Sequence, residues 1–194
     1  MHALMFFKNV LNPLNLVRKL TQRFYEVPAQ KLDAVEYLNP TQTVPSSQSD
    51  QLKITWVGHA TFLIQSKGYN ILTDPIFGHV HVGPFTLTKR AMAPGIAFKD
   101  LPKIDAIVIS HNHSDHTDAL TLKALARKFD PVIFVPEGNK TLIKSFGFTK
   151  VIENTWWQKN ELHYNNKDKI EITCVPALHW SIRFSLKSYR KSLW

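Results

Sequence analysis

The chain has 194 residues, 44% of them hydrophobic and 11% aromatic, and a formal net charge of +9. That apolar content excludes a disordered chain, the length predicts one domain or one domain with an appended arm, and no apolar run approaches the ~18 residues that span a bilayer as a helix. The single cysteine, Cys174, excludes an intramolecular disulfide and a CxxC zinc knuckle, and it fits a reducing compartment.

Residues 1–50 read as an N-terminal arm and linker. Leu11, Leu14, Val17 and Leu20, interleaved with Lys8, Arg18, Lys19 and Arg23, predict a short basic amphipathic helix. Such a helix either docks on the domain's own core or lies on a membrane surface. No basic segment precedes Leu4-Met5-Phe6-Phe7, which argues against a signal peptide. From Pro40 to Asp50 the composition shifts to Thr, Gln, Ser and Pro, and a linker is expected.

The rest, residues 51–194, reads as one domain. Alternating apolar residues predict strands at 52–57, 60–65 and 69–73, followed by a loop rich in Gly and Pro from 74 to about 102. Ala106-Ile107-Val108-Ile109 is continuously apolar, the mark of a strand buried on both faces. Thr117 or Asp118 caps a predicted helix whose inner face is Leu120, Ala124, Leu125 and Phe129. A strand at 132–135, a short helix at 139–146 stopped by Gly147, and a last strand at 169–175 containing Cys174 complete the pattern. Strands interleaved with helices make an α/β domain.

The buried strand runs into Ser110-His111-Asn112-His113-Ser114-Asp115-His116, which contains the pattern HxHxDH. In extended backbone His111 and His113 point the same way, so two imidazoles can share one metal ion. Asp115 and His116, on the turn that follows, can face a second ion about 3.5–4 Å away. The end of a buried strand is also where open α/β sheets place their ligands. His59 can face the same cleft or serve as a structural histidine. His79 and His81 share the HxH spacing, but with no carboxylate beside them they are expected in a loop without metal; His2 and His163 are expected on the surface.

HxHxDH in this setting resembles the metallo-β-lactamase-fold hydrolases. Trp56-Val57-Gly58-His59-Ala60-Thr61, Ile71-Leu72-Thr73-Asp74-Pro75, the HxHxDH segment, Trp156-Trp157 and Pro176-Ala177-Leu178-His179-Trp180-Ser181 follow in that order. Together they resemble the branch containing N-acyl-phosphatidylethanolamine-hydrolysing phospholipase D. The resemblance implies the N-terminal half of an αββα sandwich, a mixed sheet with flanking helices. It implies a first zinc on His111, His113 and His179, a second with Asp115 and His116, and Asp74 behind them orienting the loop. Water activated between two zinc ions would attack a phosphodiester or a carbonyl carbon, with Asp115, His116 and His59 beside the reacting group. The implied substrate is a phospholipid or other anionic small molecule, and Lys89, Arg90 and Arg183 suit its headgroup. A cytoplasmic protein with peripheral membrane contact is expected; no nucleic-acid-binding motif is present.

The family pattern continues well past its third metal histidine, whereas the sequence ends fifteen residues after His179 and has no Asp, Glu or His beyond Trp180. Two protein ligands for the second ion are then too few, and the expectation is one zinc at most with impaired hydrolysis. One sheet face is expected to remain uncovered. The alternative is a non-catalytic remnant that binds membranes or anionic ligands.

Overall fold

The computed structural model describes residues 41–82, 85–164, 168–177 and 179. The expected amphipathic helix and Arg183 lie outside the described residues. Within them, a six-stranded sheet carries helices on one face and a hairpin on the other. Its strands are β1 (Lys53–Gly58), β2 (Thr61–Ser66), β3 (Tyr69–Thr73), β6 (Ala106–Val108), β7 (Val132–Pro136) and β8 (Val151–Asn154), in the spatial order β1-β2-β3-β6-β7-β8. The first three form an antiparallel meander, and β3, β6, β7 and β8 pair in parallel, so the sheet is mixed.

Alternation along the strands divides the core in two. Leu63, Leu72, Ile107, Ile133 and Val135 face the helices α1 (Ala119–Phe129) and α2 (Lys140–Lys144). Tyr69, Ile71, Ala106 and Phe134 face the other way, toward the hairpin of β9 (Lys159–Tyr164) and β10 (Asp168–Thr173), which contributes Leu162, Ile170 and Ile172. Burial on both sides explains the unbroken apolar runs of β6 and β7. The Tyr69 hydroxyl donates to the Leu162 carbonyl at 3.1 Å, fixing the hairpin to the sheet. The second face is therefore covered at its centre and open at one edge. Ile54 and Trp56 of β1 remain exposed there.

Several elements depart from the sequence pattern. The loop after β3 contains a hairpin, β4 (Val80–Val82) with β5 (Phe85–Thr88), and a 3-10 turn at Phe98–Asp100. Strands of three and four residues are too short for alternation to stand out from a loop. β8 and β9 were hidden for a related reason: β8 has four residues, and in β9 Leu162 is buried between charged and polar neighbours. Residues 41–50, composed like a linker, are bonded to the sheet. Buried Gln65 and Asn70 donate to the carbonyls of Ser46 and Ser47 at 2.9 and 2.7 Å, and the Thr43 amide donates to Gly95 at 2.8 Å. Cys174 is only partly buried, and burial still raises its thiol pKa.

Helix α1 starts where Asp118 accepts a hydrogen bond from the Thr121 amide at 2.8 Å. It ends at Asp130, in the left-handed region at φ 42°. The face it packs on the sheet is Thr121, Leu122, Leu125 and Ala126. Leu120, expected inside, lies two residues and some 200° around the helix from Leu122 and is 61% exposed. The two leucines give a direct check by chemical denaturation. Leu122→Ala should cost about 2–5 kcal/mol through the cavity it leaves, whereas Leu120→Ala should change stability by less than about 0.5 kcal/mol.

Candidate metal centre

The site is built on the carboxyl ends of the adjacent parallel strands β3 and β6. Asp74 follows β3 directly, is 5% exposed, and has a left-handed backbone at φ 37°. Its amide donates to Val108 of β6 at 3.0 Å. Its carboxylate takes the Ser110 amide at 2.6 Å, the Ser110 hydroxyl, and Nδ1 of His116 at 2.8 Å. The loop beyond is closed on itself: the His116 and Thr117 amides donate to the His113 carbonyl at 3.0 and 2.8 Å, and the Thr117 hydroxyl donates to the His111 carbonyl at 2.7 Å. Buried Asn112 reaches Asn139, the residue before α2, at 3.0 Å.

These bonds fix which ring nitrogens face the centre. A carboxylate only accepts, so the Ser110 hydroxyl gives its proton to Asp74 and takes one from Nδ1 of His111, 2.9 Å away. His116 likewise donates Nδ1–H to Asp74. Both imidazoles are left with Nε2 directed inward.

Two groups of donors result. Nε2 of His111 and Nε2 of His179 lie 2.8 and 3.3 Å from Nδ1 of His113. Beside them, Nε2 of His59 lies 3.3 Å from Nε2 of His116 and 3.2 Å from Oδ2 of Asp115, with 3.7 Å between His116 and Asp115. Donors about 2.0–2.1 Å from a tetrahedral zinc ion stand about 3.3 Å apart, so both groups fit such an ion. The His111 ring centroid is 4.1 Å from that of His116 and 4.6 Å from that of His179, which makes the two groups neighbours.

Burial, reinforced by His116, His113 and His179, pushes His111 down to about 3, and His113 is lowered chiefly by burial. Both present neutral nitrogens at neutral pH, the form that ligates metal. For His116, burial opposes the charged form, but the hydrogen bond and charge of Asp74 outweigh it and raise the pKa.

Every residue singled out in the sequence as a metal ligand, His111, His113, Asp115, His116 and His179, is thus gathered here. Asp74 stands behind two of them, and His59 joins the second group. Ser110, to which the sequence assigned no part, links Asp74 to His111; its place between a buried strand and the first histidine was the available signal. His79 and His81 are engaged locally, His79 by the Arg90 amide at 3.0 Å and His81 with the His79 carbonyl at 2.8 Å. Exposed His163 pairs with Glu161 at 3.2 Å. Arg90 donates to the Ile76 carbonyl at 2.7 Å and packs against Gly58, so it has a structural employment, while Lys89 is exposed. Trp156 and Trp157 lie exposed in the turn between β8 and β9, where the Trp157 amide bonds Cys174.

The family described as Beta-lactamase superfamily domain matches residues 69–194. The chain is 37% identical over 144 residues to the mitochondrial N-acyl-phosphatidylethanolamine-hydrolyzing phospholipase D of Saccharomyces cerevisiae, covering 72% of this chain and 30% of that protein. It is 36% identical over 148 residues to N-acyl-phosphatidylethanolamine-hydrolyzing phospholipase D 1 of Caenorhabditis elegans, covering 72% and 41%. The chain therefore spans well under half the length of these curated relatives. Among solved structures it resembles Igni18, a metallo hydrolase from the archaeon Ignicoccus hospitalis, with a TM-score of 0.50, 25% identity, and coverage of 73% of this chain and 52% of that one. With relatives of this kind matching across the strands that carry the histidines, the chain belongs to the metallo-β-lactamase superfamily.

Proposed function

We propose that this chain forms the metal-binding part of a zinc-dependent hydrolase acting on phosphodiesters of the N-acyl-phosphatidylethanolamine class. The observation that carries the reading is the convergence of His111, His113 and His179 at the end of β6. The two phospholipase D relatives support the substrate class, and an all-imidazole donor set favours zinc over the hard, oxygen-seeking cations. His111, His113 and His179 would hold the first ion, and Asp115 and His116 would face the second. Bound there, the metal supplies Lewis acidity that lowers the pKa of water and neutralises charge on the reacting oxygens. The protein's own contribution is orientation: Asp74 and Ser110 fix the tautomers of His116 and His111 before any ion arrives.

Elemental analysis of the folded chain should find at least one zinc per chain, and turnover of a phosphodiester should cease with a chelator. The double variant His111→Ala, His113→Ala should lose that zinc. A metal-free wild type would defeat the reading at once; zinc without turnover would leave a metal-binding module in place of an enzyme.

The pH dependence follows from the histidines. Three ligands of ordinary pKa near 6.5 would lose affinity about 1,000-fold per pH unit below that value, because each must shed a proton. His111 has shed its proton above about pH 3, and His113 is also lowered. Affinity of the first ion should therefore fall less steeply than that as the pH drops below 6.5, as read by chelator competition. Asp74→Asn should weaken metal binding about 10–100-fold, since an amide nitrogen would oppose the N–H groups that Asp74 now accepts. The same competition assay measures it.

A further inference from the structure

The segment Trp56–Thr61 carries a histidine at the first position of the two-residue turn that joins β1 to β2. His59 lies at φ 52°, in the left-handed region, and follows Gly58 at φ 139°. A non-glycine residue there is strained, and a purely structural turn would be served by Gly or Asn. The surroundings nevertheless enforce it. The Trp56 indole N–H donates to the His59 carbonyl at 2.9 Å, and the ladder between β1 and β2 slips between Trp56 and Gly58. A Cβ on Gly58 would meet the Arg90 guanidinium at 2.5 Å, and one on Gly95 would meet the Trp56 carbonyl at 2.6 Å. On the far side the Thr73 hydroxyl donates to the Ala60 carbonyl at 2.7 Å, and the Thr61 hydroxyl donates to the Asp74 carbonyl at 2.8 Å. The strained turn is therefore bolted to the residue that orients His111 and His116.

What this accomplishes is placement of one atom. Nε2 of His59 comes to 3.2 Å from Asp115 and 3.3 Å from His116, close to the edge of a zinc tetrahedron. We propose that His59 is the third protein ligand of the second metal ion, so that the described part of this chain holds two ions. The proposal rests on the metal-centre reading above. It replaces the sequence-level count of two donors, Asp115 and His116, with three.

A rival role is open to the same geometry: His59 could position Asp115 by a hydrogen bond alone. Two substitutions separate the roles. His59→Asn keeps a residue that tolerates positive φ but removes the imidazole; His59→Asp also tolerates it and restores an anionic donor. The experiment is a zinc titration of the full chain against a competing chelator, repeated with cobalt, with thermal melting of the metal-free proteins as the folding control.

Wild type should take up two equivalents. His59→Asn should leave the first unchanged and weaken the second by more than about 100-fold, beyond what loss of an outer hydrogen-bond partner gives. His59→Asp should recover most of the second. A positioning role predicts no such recovery, because the introduced carboxylate would repel Asp115. Two equivalents in His59→Asn with unchanged affinities, or a single equivalent in wild type, would overturn the proposal while leaving the first site standing. Absence of any tight equivalent in wild type would instead remove the metal-centre reading beneath it.

Discussion

One carboxylate organises the centre. Asp74 is almost fully buried, and it bonds His116 directly and His111 through the Ser110 hydroxyl, so one buried charge orients one imidazole in each of two neighbouring groups. This explains why it must sit at the end of β3. A residue that reaches both Ser110 and His116 has to stand beside β6, and the parallel pairing of Thr73 with Val108 brings it there. The left-handed backbone at Asp74 turns the chain away once the carboxylate is in place. Burial of an acid at this depth is tolerable because its oxygens accept from an amide, a hydroxyl and an imidazole, which replace the lost water.

The sheet supplies the rigidity this arrangement needs. Strands β6 and β7 are packed on both faces, by α1 and α2 on one side and by the β9–β10 hairpin on the other. Loop 111–117 is therefore anchored in a layer that has little freedom to shift, and the Asn112–Asn139 bond ties it to the start of α2 as well. Sites supported by such elements hold their donors within the few tenths of an ångström that metal coordination demands.

The sequence carried the centre more clearly than the fold around it. HxHxDH is contiguous, so the turn that gathers His111, His113, Asp115 and His116 could be read from four neighbouring positions. His179 and Asp74 came from the ordered blocks around it, because bare spacing cannot bring residue 179 to residue 113. Elements with long apolar runs, β6 and β7, were equally plain. What was hidden depends on partners distant in sequence. Ser46 and Ser47 look like linker until Gln65 and Asn70 reach them; β9 looks charged until Tyr69 receives it; Leu120 looks internal until Leu122 and Leu125 pack on the sheet instead. The approach of His59 Nε2 to Asp115 and His116 belongs to this class, since it joins residues far apart in sequence.

The distribution of strain makes the same point from the energetic side. Among the described residues, the non-glycine positions with positive φ are His59, Lys67, Asp74, Asp130 and Trp157. Lys67 lies in the tight turn before Gly68, Asp130 caps α1, and Trp157 lies in the turn joining β8 to β9, so local turn geometry accounts for each. His59 likewise opens the two-residue turn joining β1 to β2, whereas Asp74 follows β3 outside any hairpin turn, and both flank the imidazole cluster. The cluster itself crowds His111, His113, His116 and His179, with ring centroids 4.1–5.0 Å apart among the measured pairs, and holds His111 away from water. Crowding several imidazoles around the buried His111 works against its charged form, because protonating any one of them disfavours protonating the next. Sequences keep such departures from local preference where function requires them. A cation at the shared point of these nitrogens reverses the sign of the interaction, turning mutually repelling groups into a converging set of donors.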